Sequence, residues 1–280
     1  MIIFKKANQL SKYIKRQEEE GKIIGFVPTM GALHNGHLTL IDTCRKLNDI
    51  TVCSIFVNPA QFNNPDDLKN YPVTTAEDIE KLIGHQCDVL FLPSVVEMYP
   101  ADYSKKHYQL GAIESMLEGY FRPGHFQGVC QAVDRLLEIV QPRNLYMGQK
   151  DYQQCMVISR LLELTGMNSL INLNIVPTVR EPDGLAMSSR NLRLDEKHRR
   201  LATSIYKELT FIKENIDQQD LDELKKDATE HLIEKGFKVD YVEIANAADL
   251  SPAKNIAGKL VVLAAATTGN IRLIDNLVLN

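Results

Sequence analysis

The stretch P-T-M-G-A-L-H-N-G-H-L-T-L, residues 28–40, decides the fold of this chain. It follows an apolar run at residues 23–27, and apolar residues recur after it at helical spacing. This pattern predicts a strand, a tight glycine-containing turn and a helix that begins at the carboxyl end of the strand. Free N–H groups and the positive end of the helix dipole gather at such a turn, and Gly31 and Gly36 allow close approach to the backbone. We therefore expect the turn to bind an anion such as a phosphate.

Two histidines occupy this turn. His34 and His37 can each donate a hydrogen bond to phosphate oxygens and stabilise charge in a transition state. The spacing of the two glycines is also that of a P-loop, but His37 and Leu38 stand where a P-loop needs Lys and Ser or Thr, so a Walker-type NTPase is disfavoured. The tetrad His-x-Gly-His resembles the HIGH signature of nucleotidyltransferases and class I aminoacyl-tRNA synthetases. The alternative is that both histidines only cap the helix or face solvent.

Composition narrows the class of protein. The chain has 280 residues, of which 44% are hydrophobic and 24% charged, as in a soluble globular protein with two domains. Its 32 basic and 36 acidic residues give a net charge of −4, which provides no general attraction to nucleic acid or to an anionic membrane. The net charge therefore argues against a tRNA synthetase, which needs a surface that binds tRNA. We expect neither nucleic acid nor membrane among the partners.

The cysteines and the N-terminus indicate the compartment. The five cysteines are odd in number and form no Cys-x-x-Cys pair, so we predict buried free thiols rather than a zinc site or a disulfide framework. The N-terminal residues M-I-I-F-K-K-A-N-Q do not resemble a signal peptide, and no apolar run approaches the ~18 residues of a membrane span. We expect a cytoplasmic protein.

The rest of the N-terminal part alternates helices and strands. Helical spacing of apolar residues predicts helices at residues 8–20, 74–84, 129–140 and 151–165, with Thr74 and Glu77 forming a capping box at the start of the second. Apolar, β-branched runs predict strands at residues 50–57, 89–92, 144–147 and 170–176. Continuous apolar strands that alternate with helices are typical of an α/β fold with a mostly parallel sheet and helices on both faces.

Three polar clusters follow strands of this predicted sheet, at residues 28–37, 58–62 and 148–154. Because ligands of such sheets bind beyond the carboxyl ends of the strands, we expect the clusters to share one rim. After residue 176 the chain reads as a polar loop, helices at residues 195–215 and 221–235, and strands at residues 239–244, 260–266 and 271–278. Helices followed by strands predict a separate, smaller α+β domain.

Longer motifs carry a resemblance to a known family. They are F-V-P-T-M-G-A-L-H-N-G-H-L from residue 26, F-V-N-P-A-Q-F from 56, L-E-G-Y-F-R-P-G-H-F-Q-G-V from 117, M-G-Q-K-D-Y-Q-Q from 147, V-R-E-P-D-G-L-A-M-S-S-R-N-L from 179, and R-L-I-D-N from 272. Their order and spacing resemble those of the pantothenate synthetase family, ATP-dependent ligases that join (R)-pantoate to β-alanine.

The resemblance implies an architecture and a reaction. It implies a Rossmann-like, ATP- and pantoate-binding domain at residues 1–176, a C-terminal lid domain at residues 177–280, and a homodimer. Pantoate and ATP would form a pantoyl adenylate with release of pyrophosphate, and β-alanine would then displace AMP to give pantothenate for coenzyme A biosynthesis. ATP is the implied substrate, and the implied Mg²⁺ is held mainly by its phosphates, with no protein metal site.

The resemblance also implies roles for single residues. Those implied to act on the phosphates are His34, His37, Lys150, Ser188, Ser189 and Arg190, with His37 as proton donor. The implied ATP contacts are Met30, Gly31, Ala32, Leu33, His34, Asn35, Gly36, His37, Gly148, Gln149, Lys150, Asp151, Val179, Met187, Ser188, Ser189 and Arg190. Gln61 and Gln154 are implied to hold pantoate, and Gln61 also to lie near β-alanine. The loop at residues 187–190 is implied to be mobile.

Side-chain chemistry supports these roles independently. Adenylation develops negative charge on the α-phosphate and expels pyrophosphate, so cationic groups and N–H donors are needed on both. A glutamine amide can donate to a carboxylate and accept from a hydroxyl, which suits a hydroxy acid. Arg122 and His125, in contrast, could simply tie down a loop.

Two departures from the family pattern and two other functions remain to be weighed. Asn63 and Asn64 stand where many members have Gly-Pro, and Ala132 stands where a valine often lines the pantoate pocket, which bears on loop shape and pocket volume.

A nucleotidyltransferase with a stable nucleotide product would share both histidines but would not use an amine. A nucleotide-binding regulator would keep the turn and bind ATP without turnover.

Overall fold

The computed structural model of the chain describes all 280 residues, Met1–Asn280. They divide into two compact units. The first comprises Met1–Gln149 and Gln154–Pro177, and the second comprises Lys150–Gln153 and Thr178–Asn280. Four residues from the middle of the chain therefore cluster with a unit that is otherwise built from its C-terminal part.

A six-stranded parallel sheet is the centre of the first unit. Its strands are β1 (Ile2–Phe4), β2 (Ile24–Thr29), β3 (Ile50–Ile55), β4 (Val89–Phe91), β5 (Asn144–Gly148) and β6 (Asn172–Val176). The helices along this part of the chain are α1 (Ala7–Glu19), α2 (Asn35–Leu47), α3 (Pro65–Lys69), α4 (Thr75–Gly84), α5 (Val95–Met98), α6 (Glu118–Phe121), α7 (His125–Val140) and α8 (Tyr152–Leu164). The strand order is β1-β4-β3-β2-β5-β6, and every neighbouring pair is parallel.

Alternate residues of the strands point to opposite faces of the sheet, and both faces are covered. In β4, Val89 and Phe91 belong to a buried cluster with residues of α1, α7 and α8, whereas Leu90 belongs to a second cluster with residues of α2 and α4. Because both faces of the central strands are covered, β2, β3 and β4 are mostly buried and largely apolar, whereas the edge strands β1 and β6 are partly exposed. The predicted parallel sheet with helices on both faces is confirmed.

The second unit is a small α+β structure, as predicted. Helices α9 (Glu196–Asn215) and α10 (Leu221–Glu234) pack on an antiparallel sheet of β7 (Lys238–Asn246), β8 (Leu260–Thr268) and β9 (Ile271–Val278). Aspartates cap both helices, since Asp195 accepts from the His198 amide and Asp220 from the Asp222 amide. All five elements lie within two residues of their predicted bounds.

Some elements were missed or misplaced. The sequence did not indicate β1 or the short helices α3, α5 and α6, because segments of three to five residues are too short to show a periodicity. Helix α7 begins at His125 rather than at residue 129, directly after Gly124 in the left-handed conformation (φ 79°). The predicted capping box at α4 is wrong, because the Thr74 hydroxyl donates to Asp78 Oδ1 at 3.1 Å instead of capping the backbone.

The two departures from the family pattern have local consequences. Asn64 Oδ1 accepts from the Asp66 amide at 2.8 Å, and Pro65 follows as the first residue of α3, so this segment starts a short helix. The Asn63 side chain donates to the Pro123 carbonyl. Ala132 is buried in α7.

The strand order determines where a ligand would bind. Strand β2 lies between β3 and β5. From β2 the chain proceeds to β3 and β4 on one side of the sheet, and it then crosses to β5 and β6 on the other side. The topological switch point therefore lies between β2 and β5, where open parallel sheets bind ligands. The three polar clusters follow β2, β3 and β5, which are neighbours.

All five cysteines are free and buried, as predicted. Burial raises the pKa of the Cys44, Cys87 and Cys130 thiols to about 12, so they stay protonated at neutral pH and are poor nucleophiles. None of the helices combines the length and the apolar character that crossing a membrane requires.

Candidate functional site

The turn between β2 and α2 adopts a backbone that few residues tolerate. Gly31 has a φ of 83°, and Ala32 follows with a φ of 48°. A Cβ on residue 31 would lie 3.0 Å from the Ile55 side chain and 3.1 Å from an oxygen of Asp78. The left-handed conformation and the close neighbours both call for glycine at position 31.

The carboxylate of Asp78, on α4, holds this turn. It accepts hydrogen bonds from the amides of Ala32 at 2.9 Å and Leu33 at 2.7 Å, and only 1% of the residue is exposed. Lys81, one turn further along α4, donates to the Leu33 carbonyl at 2.6 Å. The expectation of free N–H groups is therefore wrong for Ala32 and Leu33, because a buried carboxylate already occupies them.

Each histidine caps α2 through its Nδ1 atom. His34 Nδ1 accepts from the Gly36 amide at 3.2 Å, and His37 Nδ1 accepts from the His34 amide at 3.4 Å. The two rings lie 4.0 Å apart. Since an accepting Nδ1 carries no proton, this geometry assigns the proton of each neutral ring to Nε2. The capping interpretation is thus correct for Nδ1, and Nε2 of each ring is a donor.

Gln61 follows β3 in a one-turn 3₁₀ helix, Pro59–Gln61. Its side-chain carbonyl accepts from Asn58 Nδ2 at 3.0 Å, and its Nε2 donates to the Met30 sulfur at 3.1 Å. Asn58 is fully buried and also donates to the Gly128 carbonyl, while Tyr99 donates to its Oδ1. A thioether is a weak acceptor, so a carboxylate or hydroxyl of a ligand can replace the Met30 sulfur as the acceptor of the Gln61 Nε2 hydrogen bond at little cost.

The start of α7 fixes the backbone of Gln61. His125 Nδ1 lies 2.8 Å from the Gln61 carbonyl, and Arg122 contacts both His125 and the same carbonyl. A Cβ on Gly128 would lie 2.2 Å from the Ala60 carbonyl oxygen, so α7 approaches the 3₁₀ helix as closely as backbones allow. Arg122 and His125 therefore both contact the loop that carries Gln61.

A cavity of about 250 Å³ opens beside the turn in the first unit. Its walls include Met30, Ala32, Phe56, Asp78 and Ser94. Of the predicted ATP contacts, only Met30, Gly31 and Ala32 line it, and neither glutamine does. The cavity therefore adjoins the histidine turn and the Met30 sulfur that accepts from Gln61, but neither histidine lines it.

The residues after β5 are divided between the units. Gly148 ends β5, its carbonyl accepting from the Cys155 thiol at 3.4 Å, and Gln149 belongs with it to the first unit. Gln154, in the first turn of α8, also belongs to the first unit and is half-buried. Lys150 and Asp151 belong to the second unit, where Lys150 Nζ lies 3.5 Å from Asp151 Oδ1.

The predicted mobile loop of the second unit begins in a short hairpin. The Met187 amide donates to the Val179 carbonyl at 3.0 Å, which pairs the two residues expected near ATP. Ser188 caps the 3₁₀ helix Ser189–Arg193 by accepting from the Arg190 amide at 3.3 Å. Ser189 is buried, and Arg190 is half-buried.

A buried ion pair supports this hairpin. Arg180 binds both carboxylate oxygens of Asp275, at 2.6 and 3.0 Å, and lies 3.9 Å over the Tyr206 ring. Burial raises the pKa of the Asp275 carboxyl, and the Arg180 guanidinium acts in the opposite direction. Gly184 leaves room for this arrangement, since a Cβ there would lie 2.4 Å from the Tyr206 ring.

Each unit therefore brings together part of the predicted set. The first unit unites the histidine turn with Gln61, through the contact of Gln61 with Met30. The second unit unites Val179 with Met187 and holds Lys150 and the residues of the serine and arginine loop. Sequence reasoning missed Asp78 and Asn58. Asn58 lies within the motif F-V-N-P-A-Q-F, whereas no local pattern marks Asp78.

These features define a class. A parallel sheet of Rossmann type, with a two-histidine turn at its switch point, is the architecture of nucleotide-using α/β enzymes. A family model described as pantoate-beta-alanine ligase matches residues 2–278 of the chain. Proteins named pantothenate synthetase from Fervidobacterium nodosum and Thermotoga petrophila are each 42% identical to it, with 100% of both chains covered.

Solved structures agree with the family match. A crystal structure of pantothenate synthetase from Thermus thermophilus has a TM-score of 0.93 at 37% identity, covering 99% of each chain. A crystal structure of pantoate-beta-alanine ligase from Francisella tularensis, complexed with beta-gamma ATP and beta-alanine, has a TM-score of 0.84 at 38% identity, covering 99% of this chain and 97% of that one. The chain belongs to the pantoate-beta-alanine ligase family, and it is an enzyme of that family.

Proposed function

We propose that this enzyme joins (R)-pantoate to β-alanine at the expense of ATP, through a pantoyl adenylate. A carboxylate oxygen of pantoate attacks the α-phosphorus of ATP, and the bond from that phosphorus to the bridging oxygen breaks, which releases pyrophosphate. The amine of β-alanine then attacks the acyl carbon, loses a proton and displaces AMP. The observation that carries the proposal is the two-histidine turn at the switch point. The ATP and β-alanine named for the Francisella tularensis complex support it.

In the first unit, the histidine turn is proposed to serve the phosphates. Nε2 of His34 and of His37 would donate to oxygens on which negative charge develops, with His37 as the proton donor. Because Nδ1 of each ring is tied to the helix N-terminus, the direction of each Nε2–H is set before the substrate binds. Met30, Leu33, Asn35 and the glycines would complete the ATP contacts through this turn, together with Gly148 and Gln149 at the end of β5.

In the second unit, cationic and hydroxyl groups are proposed to serve ATP. Lys150 and Arg190 would neutralise phosphate charge, and Ser188 and Ser189 would donate to phosphate oxygens. Asp151 would accept from a ribose hydroxyl, and Val179 and Met187 would contact the adenine.

Mg²⁺ would arrive with ATP and supply further neutralisation of the phosphate charge. The residues assigned to the phosphates are cations, hydroxyls and N–H donors, which suit phosphate oxygens, so the phosphates would hold the ion. We also propose a homodimer in the cytoplasm, with residues 1–176 as the ATP- and pantoate-binding domain and residues 177–280 as the lid.

The test is product formation from defined substrates. With ATP and Mg²⁺ present, pyrophosphate and pantoyl adenylate should form in single turnover only when pantoate is added, and AMP and pantothenate only when β-alanine is also present. A nucleotidyltransferase would yield a stable nucleotide product that β-alanine leaves unchanged. A regulator would bind ATP and form neither AMP nor pyrophosphate. Either result would refute the ligase reaction.

The glutamines give a prediction for pantoate recognition. A buried polar group that loses its hydrogen-bonding partner costs about 1 to 3 kcal/mol. Removal of the amide that would bind pantoate, in Gln61→Ala or in Gln154→Ala, should therefore lower kcat/KM for pantoate about 5- to 150-fold, with ATP binding preserved. Gln131→Ala is the matched control, because that amide only contacts the Lys106 carbonyl on the exposed side of α7. An acid that lacks the pantoate hydroxyls should lose less than pantoate does in each variant. Equal losses for both acids would show that the glutamines do not recognise the hydroxyls.

A further inference from the structure

Lys150 is held by the second unit although it follows a strand of the first. Two side-chain hydrogen bonds anchor the segment Lys150–Gln153 there. Asn276 Nδ2 donates to the Lys150 carbonyl at 2.8 Å, and the Tyr152 hydroxyl donates to the Ala247 carbonyl at 2.8 Å. The donor Asn276 lies in β9, and the acceptor Ala247 directly follows β7. The C-terminal sheet therefore sets the position of the Lys150 backbone.

Asn276 is itself fixed by a buried network. Only 2% of the residue is exposed, and its backbone N–H donates to Asp275 Oδ1 at 2.7 Å. The backbone carbonyl of Asn276 accepts from Arg180 Nη2 at 3.1 Å, and Arg180 also binds both carboxylate oxygens of Asp275. Both backbone groups of Asn276 thus contact a charged pair, which fixes the backbone position from which its side chain reaches the Lys150 carbonyl.

The hydrogen bond matters because of the length of the lysine side chain. The ammonium group lies at the end of a flexible four-carbon stem, so it is placed only as well as the backbone that carries it. Misplacement of a reacting or charge-stabilising group by about 1 Å can cost about 10²-fold in rate. The hydrogen bond from Asn276 to the Lys150 carbonyl fixes the peptide plane next to the Lys150 Cα atom. It therefore limits the positions that the Lys150 Nζ atom can reach.

We infer that Asn276 is a positioning residue for Lys150, acting through the Lys150 carbonyl and held in place by Arg180 and Asp275. The inference rests on the proposed role of Lys150 at the ATP phosphates. It gives a role to Asn276 in the segment R-L-I-D-N, which lies far along the chain from the histidine turn. Asn276 does not contact substrate in this role; it acts only on the lysine.

The experiment is a double-mutant cycle on single-turnover adenylation. Lys150→Ala should lower the rate about 10²- to 10³-fold, the scale for loss of one transition-state donor. Asn276→Ala should lower it about 10-fold, with KM for β-alanine unchanged, because the amine step does not use the lysine. In the Lys150→Ala background, Asn276→Ala should have no further effect, since there is no ammonium left to position. If the two effects multiply, Asn276 acts by another route and the inference is wrong.

The controls separate positioning from folding. Asn280→Ala removes a side-chain amide that donates to another backbone carbonyl, that of Gly258, beyond the end of β9, and should leave the adenylation rate unchanged. Asn276→Ala should lower the melting temperature by the same amount in the wild-type and the Lys150→Ala enzyme. It should lower the adenylation rate only in the wild-type enzyme. If Asn276→Ala does not fold, Asn276→Leu takes its place in the cycle, because it has a similar size but carries no donor for the Lys150 carbonyl.

The cycle also distinguishes the inference from the function on which it rests. A normal adenylation rate in Lys150→Ala would remove the lysine from the phosphates and with it the basis of the inference. A slow Lys150→Ala with a normal Asn276→Ala would leave the role of Lys150 intact and would refute only the positioning role of Asn276.

Discussion

Replacing His37 by alanine should lower the rate of pantoyl-adenylate formation by about 10²- to 10³-fold, the scale for loss of one transition-state donor. The affinity for ATP should change much less, because the donor acts on charge that develops during the reaction. The stability of the fold should fall by no more than about 1 kcal/mol, since the cap made by His37 Nδ1 is long at 3.4 Å. Rapid-quench measurement of pyrophosphate formation in single turnover, with pantoate and without β-alanine, checks the rate.

Two further variants at this position separate capping from catalysis. Asn in place of His37 can still accept from the His34 amide but has no group at the position of Nε2. Gln in its place extends an amide donor towards that position and loses the cap. We expect His37→Gln to adenylate faster than His37→Asn. The reverse order would show that the cap is the whole role of His37. His107→Ala, at an exposed position of the first unit, is the neutral control.

Replacing Gly128 by alanine should have the second large effect. The new Cβ would lie 2.2 Å from the Ala60 carbonyl oxygen and 2.7 Å from the Gln61 amide nitrogen, both of which are backbone atoms with no rotamer to change. Helix α7 and the 3₁₀ helix must therefore separate, at a cost of about 1 to 3 kcal/mol in the free energy of unfolding. Because the displaced segment carries Gln61, kcat/KM for pantoate should fall by about 10²-fold. Urea unfolding and pantoate kinetics measure the two effects.

Gly84→Ala is the matched control for this prediction. Gly84 also lies in a helix, at the end of α4, but a Cβ there would have no atom within 4 Å. Alanine should stabilise the protein by up to about 1 kcal/mol there, since it loses less conformational freedom on folding, and should leave pantoate kinetics unchanged. A Gly128→Ala enzyme with normal pantoate kinetics would show that the close approach of α7 does not position Gln61.

The nature and order of the main elements could be predicted because they depend on local patterns. The apolar run before the histidine turn and the helical spacing after it predict β2 and α2 from adjacent residues alone. The same holds for α9 and α10, which begin directly after the capping aspartates Asp195 and Asp220. The two histidines could also be selected from the sequence, because their residue type and their place at a helix N-terminus follow from neighbouring residues.

The contacts that hold the site could not be predicted in this way. Asp78 lies 46 residues from Ala32, with which it forms a hydrogen bond, and Asn276 lies 126 residues from Lys150. No spacing rule links such pairs, because their distance depends on how whole helices and strands pack. For the same reason, the sequence did not show that Asp78 already occupies two amides of the turn, or that Lys150–Gln153 cluster with the second unit.

The sequence by itself determined the α/β architecture, the smaller α+β unit and the residue types that can handle phosphates, since these depend on periodicity, turn chemistry and side-chain functional groups. The tertiary structure decided which atoms of those residues are already engaged. His34 and His37 use Nδ1 to cap a helix and carry the proton on Nε2, and Gln61 is held between Asn58 and a thioether. The physical reason is that a hydrogen bond depends on distance and direction in space, which the chain acquires only when segments far apart in sequence pack together.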